Sequence, residues 1–233
     1  MFDPFENIIT SYVLTPKEAY AIKNVIPEEH RVTIAYYLSI QFMRTKEYRE
    51  KIIQMYEKGT KFLLKKGLSS EIDPAFLNDI EIKLKKNRIN LIHNEYLLDT
   101  EILEGLSLAL LSHIWFVAVN ETEEMFYTSD NPLVLYGHKE HQGLKSEGIE
   151  VIFPITPKLA LVMREVEYFK KDLAKFNKFI PVTKSYVEFS NSLQVYQSYR
   201  YIFSKNSNFS LASKILTENP ELCDVNRDRF LMG

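Results

Sequence analysis

The run Met125-Phe-Tyr-Thr-Ser-Asp-Asn-Pro-Leu-Val-Leu-Tyr136 sets two short apolar stretches on either side of Thr-Ser-Asp-Asn-Pro. Phe, Tyr, Val and Leu on both flanks favour strands, and Ser-Asp-Asn-Pro is dense in turn formers. This run decides the fold class, because the periodicity of the chain is helical before it and strand-like around it. It also carries a carboxylate, Asp130, at a junction where a scaffold presents a reacting or binding group. The same residues serve a turn for geometric reasons alone, and both readings stay open.

Outward from this run, further strands are expected at His113–Val119, Glu150–Phe153 and Leu159–Met163, joined in part by the polar loop Gly137–Gly148. Upstream, Pro4, Pro16 and Pro27 each stand where a helix opens, the first two behind Asp3 and Thr15. Residues 32–43 are apolar nearly all round, which predicts a central buried helix. An amphipathic helix is expected over 46–66, ended by Gly67, and others over about 74–97 and 100–112. Downstream, 183–199 reads as a helix, Arg200–Ser204 as a strand, and Ser210–Thr217 as a short helix. The expected architecture is α+β: one domain over 1–233, with a helical half (1–112) packed on a small, mostly antiparallel sheet in 113–233, together with one or two further helices.

Composition narrows the function classes. The chain has 233 residues, 45% hydrophobic and 26% charged, with 7 Gly, 14 Tyr and 15 Phe. So few glycines, and no G-x-G-x-x-G or Walker run, leave phosphate-cradling loops without support. The formal net charge of −2 supports no global attraction to nucleic acid, although lysine clusters at 58–66, 83–88 and 170–178 stand out locally and read as solvated helix faces. The lone Cys223 has no disulfide partner in the chain and fits a reducing cytoplasm. No run of about 18 apolar residues suggests a membrane span. No motif implies a cofactor, a metal or a particular partner.

Five residues form the candidate site. Gln41 and Arg44 share a face at the end of the apolar helix, as candidate substrate-binding groups. Arg44 keeps its charge, so in a cleft it would bind a carboxylate or phosphate, and in the core it would need an acidic partner. Asp130 is the best-placed carboxylate for general-base work, metal binding or pairing with Arg44, and Asn131 stands beside it as a binding group. Lys158 opens a strand after Phe153-Pro-Ile-Thr-Pro157, within reach of a neighbouring turn. A nuclease-like reading wants an acid-x-Lys triplet where Glu150-Val-Ile152 stands, so the match is poor. His138-Lys-Glu-His141 has ligand-like spacing without companion acids and reads as a solvated loop, while His93 and His113 read as structural. No G-x-S-x-G supports nucleophilic catalysis.

Four separated pieces, residues 37–49, Trp115, 126–133 and 153–161, resemble the bacterial and phage family called domain of unknown function 4238, as does the late segment 191–204. The resemblance runs from about residue 5 to 205. Family members usually open with a His-Tyr-Val-Pro-Gln-Phe-Tyr-Leu-like segment, and this sequence shows Met1-Phe-Asp-Pro instead. The resemblance therefore implies an architecture and a set of positions, in a chain that reads as a non-catalytic or incomplete module. Two functions are carried forward. In one, Arg44, Asp130 and Lys158 form a buried polar lock. In the other, they act with Gln41 and Asn131 on a phosphate-bearing substrate, with Asp130 and Lys158 as the catalytic pair.

Overall fold

A computed structural model describes residues 5–14, 19–68, 79–140 and 143–229. Its centre is a five-stranded sheet of order β3-β4-β5-β1-β6, built from β1 (Ile114–Asn120), β3 (Val134–Gly137), β4 (Ile149–Thr156), β5 (Leu159–Arg164) and β6 (Phe179–Val182). The pairs β3–β4, β4–β5 and β5–β1 are antiparallel, but β6 runs parallel to β1. The sheet is therefore mixed. β2 (Thr128–Ser129) and β7 (Ile202–Phe203) form a separate antiparallel ribbon.

Strand β1 shows why the sheet sits where it does. Trp115, Val117 and Val119 enter one apolar cluster, while Phe116 and Ala118 enter another. Alternate side chains of a strand point to opposite faces, so the unbroken apolar run reports burial on both sides. The first face is covered by α1 (Glu6–Leu14), α2 (Glu28–Met43) and α5 (Thr100–Leu111), through residues such as Ile8, Leu38 and Leu110. The second face is covered by Val187 and Leu193 of α6 (Lys184–Gln197). The expected α+β class is thus present as three layers, with the sheet between helices from both halves.

Several local readings are borne out. The carbonyl of Pro27 accepts from the His30 and Arg31 amides, and Glu28 and Glu29 complement the positive end of α2. The helices expected from 46 and from 100 are present, and the structure adds their caps. Thr45 accepts the Tyr48 amide at the start of α3 (Lys46–Leu68), which runs through Gly67 rather than ending there, and Asp99 accepts that of Ile102 at the start of α5. The proline signatures at 3–4 and 15–16 fall outside the described residues.

Other readings need correction. α2 is not buried all round, since Val32 is 49% exposed and Ile40 42%. The helix expected over 74–97 is described as α4 (Lys86–Leu98), with 80–85 non-helical. The strand expected from Met125 begins only at Thr128. β6 was not anticipated at all, because Phe-Ile-Pro-Val is short and holds a proline. It is tolerated at the sheet edge, where a missing amide donor costs little. Asn177 (φ 54) delivers the chain to it, its side chain bonding both the amide and the carbonyl of Ile26.

Candidate functional site

Helix α6 carries Asn191, Gln194 and Gln197 at a spacing of three, so their carboxamides share one face. Each reads the chain between Met125 and Leu135. Asn191 accepts from the Tyr127 amide and donates to the Met125 carbonyl. Gln194 accepts from the Ser129 hydroxyl and donates to the Pro132 carbonyl. Gln197 brackets Leu135, accepting from its amide and donating to its carbonyl. These six bonds satisfy polar groups that would otherwise be buried unpaired.

Asp130 fastens the opposite side of the same segment. Its Oδ1 accepts from the Tyr199 amide at 2.8 Å, and its Oδ2 from Arg200 at 2.9 Å and Tyr201 at 3.2 Å. Its own amide donates to the Tyr201 carbonyl. Asn131 is buried and donates to the Gln197 carbonyl. The Thr-Ser-Asp-Asn-Pro turn therefore holds the exit of α6 and the start of β7.

The structure does not join the five sequence-derived residues into one cluster. Arg44 is exposed and donates to Gln41 at 2.7 Å, while Gln41 donates to the Tyr37 hydroxyl. Lys158 donates to the Thr122 carbonyl. The expected Arg44–Asp130 pair is absent, and the reason is geometric. Residue 44 is the C-cap of α2 and turns outward, whereas buried Glu47, three residues on, points inward. His138 lies in the loop after β3 and is exposed as expected, but its Nε2 lies 2.9 Å from Glu150. His141 lies outside the described residues, and among the described residues no group of three or more His, Cys, Asp or Glu side chains could hold a metal. His93, read as structural, bonds the Met43 carbonyl.

What converges instead is Glu47 with two arginines from the C-terminal segment. Glu47 Oε2 accepts from Arg229 Nε at 2.7 Å and lies 3.4 Å from Arg227 Nη2, with side-chain exposures of 5%, 1% and 9% for Glu47, Arg229 and Arg227. Arg227 also donates to the carbonyls of Leu222 and Ser198. Gln54, two turns along α3 from Glu47, donates to the Arg227 carbonyl and accepts from the Arg229 amide, so it grips the segment as a neighbouring strand would. Nη2 of Arg229 is buried with no hydrogen-bond partner among the described residues, and its guanidinium lies over the Tyr199 ring, 5.3 Å from the centroid. Lys46 and Arg200 stand against the same ring.

A cavity of about 610 Å³ opens beside this cluster, between α3, the end of α6 and residues 221–229. Its interior groups are Glu47, Lys51, Arg227 and Arg229, while Glu221, Asp224 and Asp228 are exposed at its margin. Lys51 stands one turn after Glu47 on the same helix face and makes no hydrogen bond or ion pair among the described residues. Burial is the main cause holding its ammonium below the usual lysine range; Glu47 opposes that shift, and Arg227 and Arg229 add to it. Three cations thus face one buried carboxylate.

A second polar cluster lies across the sheet. Glu150, with a side chain 2% exposed, accepts from Arg164, the Tyr186 hydroxyl and His138. Arg164 also pairs with Asp172. Burial first, then the Glu150 carboxylate, drives the Tyr186 phenol well above its ordinary value. Both Glu150 oxygens are engaged, so this cluster is a closed tie between β4, β5 and α6.

Sequence reasoning missed Glu47, Lys51, Arg227 and Arg229. Glu47 follows Thr45 at a helix start, where an acid has a local electrostatic role, so nothing local marks it as buried. The Asn191, Gln194, Gln197 spacing was a legible signal. No curated protein and no solved structure matches the chain. The family model described as Protein of unknown function (DUF4238) matches residues 5–208. That span includes Glu47, Lys51 and Asp130 and leaves out both tail arginines.

Proposed function

The chain belongs to the DUF4238 family of proteins of unknown function, and from that premise we propose that it is a binding module for a small molecule bearing a phosphate monoester, held in the cavity beside Lys51. The observation that carries this reading is the charge of the cavity's interior groups: Lys51, Arg227 and Arg229 stand with Glu47 as their one buried carboxylate, while Glu221, Asp224 and Asp228 are exposed at the margin. Desolvated charge without a counter-ion is costly, and a phosphate monoester near neutral pH carries about 1.5 to 2 negative charges, close to the excess of the interior groups once the exposed marginal acids are left to solvent. A carboxylate would neutralise only part of it. Lys51 supplies the free hydrogen-bond donors, and the two arginines, held by Glu47 and by backbone carbonyls, supply field. The volume of about 610 Å³ lies within the range of small-molecule sites. The reading assigns binding rather than bond-breaking, since Asp130 and Lys158 are both held in backbone contacts.

The test is calorimetric titration with inorganic phosphate, pyrophosphate and a nucleoside monophosphate, on wild type and Lys51→Met. Wild type is expected to bind at least one of them and to gain about 2.7 kcal/mol of stability when the ligand reaches a hundred times its Kd. Lys51→Met should lose the heat and the stabilisation. Binding that survives Lys51→Met, or no binding at millimolar ligand, overturns the reading. The second outcome leaves Glu47, Arg227 and Arg229 as a purely structural lock, a reading favoured by their side-chain exposures of 9% or less.

A further inference from the structure

We propose that the outer face of β7 is a stacking platform for single-stranded nucleic acid. Tyr201 and Phe203 stand two residues apart, so their side chains leave the strand on the same side. They are 60% and 53% exposed, and their rings lie 6.5 Å apart at 35°, nearly side by side. Ile202, between them, turns inward against the cluster of Tyr127 and Val195. Large rings facing solvent together on a strand whose inner face is packed need an occupant with flat apolar surfaces.

Charge says which occupant. Arg200 and Lys205 flank the two rings, and from Phe189 to Thr217 the sequence contains no Asp or Glu. In a chain with a net charge of −2, the only charged residues of this segment, Arg200, Lys205 and Lys214, are therefore basic, and the nearby Asp130 carboxylate is taken up by backbone amides. Cations interleaved with exposed aromatics match a strand whose phosphates and bases alternate, and stacking tolerates any base. Lys205 and Phe203 also line a cleft of about 220 Å³, floored by Phe126, Pro154 and Pro157, which offers an apolar recess beside the rings.

The platform is preset. Asp130 holds the amides of Arg200 and Tyr201 and donates to the Tyr201 carbonyl, and β2 pairs with Ile202 and Phe203. Little order would be lost on binding, which favours affinity. Duplex does not suit the surface, because its bases are already stacked on each other. The platform shares no residue with the cavity beside Lys51, so the two proposals stand or fall separately.

The experiment is fluorescence anisotropy of a labelled oligothymidylate of roughly 12 nucleotides, within the site sizes of such surfaces. The same measurement is made with a duplex of that length. Tyr201→Ala and Phe203→Ala should each weaken single-strand binding about tenfold. Tyr201→Leu and Phe203→Leu, which keep β7 apolar without a stacking face, should lose as much, and a thermal melt confirms that each variant is folded. Joint replacement of Arg200 and Lys205 by alanine should flatten the salt dependence. The proposal is overturned if wild type does not bind at low salt, if duplex binds as tightly, or if the leucine variants bind like wild type. It is equally overturned if wild type self-associates through this face and Phe203→Ala abolishes that, because the rings would then serve a contact between copies.

Discussion

Replacing Asp130 by alanine removes the acceptor of three backbone amides at once. The Tyr199 amide is partly buried, and those of Arg200 and Tyr201 lie at the surface. A hydrogen bond to a charged group contributes about 1.5–3 kcal/mol net when buried, and a stranded buried donor costs about 1–3 kcal/mol. The two surface amides re-bond water, so each contributes nearer 0.5 kcal/mol. Arg227 also loses the attraction of this carboxylate. The expected loss is about 3 kcal/mol, or about 6–12 °C in Tm for a chain of this size. Asp130→Asn keeps one acceptor oxygen and should lose roughly half as much. Arg44→Ala removes an exposed contact to Gln41 and should cost less than about 0.5 kcal/mol. The assay is urea unfolding followed by circular dichroism on both single variants and the double variant. The two residues share no partner, so their effects should add within about 0.5 kcal/mol. An Asp130→Ala loss below about 1 kcal/mol, or coupling to Arg44 above that value, would falsify the role assigned to Asp130.

Glu150→Gln discharges a buried carboxylate bonded to Arg164, Tyr186 and His138, and should destabilise by about 3 kcal/mol. A thermal melt within 2 °C of wild type would refute the claim that this cluster ties the sheet to α6. His113 is buried, its Nδ1 bonded to the Ala109 carbonyl and its Nε2 without a partner among the described residues, and burial holds its pKa below the ordinary 6.5. The unfolded chain takes up this proton first, so stability should fall as pH drops from about 6.5 toward the lower folded value. Across that window His113→Leu should melt with a flatter pH profile than wild type. Parallel profiles would show that His113 is not a source of the acid sensitivity.

The class of the fold was legible because it rests on periodicity. The change from a helical to a two-residue repeat near residue 112 reports the boundary between elements, and β1 carried its burial openly in six consecutive apolar positions, Ile114–Val119. The positions resembling family motifs were also legible, yet their partners were not. Asp130 stood out in the sequence as a candidate site carboxylate, and in the structure it accepts three backbone amides rather than pairing with Arg44.

Sequence alone determined broadly where helices and strands alternate, and that Thr-Ser-Asp-Asn-Pro is a turn, because local sterics and side-chain patterning act over a few residues. Only the tertiary structure decided what the Asp130 carboxylate meets, which face of the α2–α3 junction turns inward, and that arginines 180 and 182 residues downstream of Glu47 are its partners. Such contacts depend on packing between distant segments, and a charged side chain carries no local mark of whether its partner will be water or another residue. The opening run thus becomes the clasp of α6, the support beneath β7, and a neighbour of the cavity at Glu47.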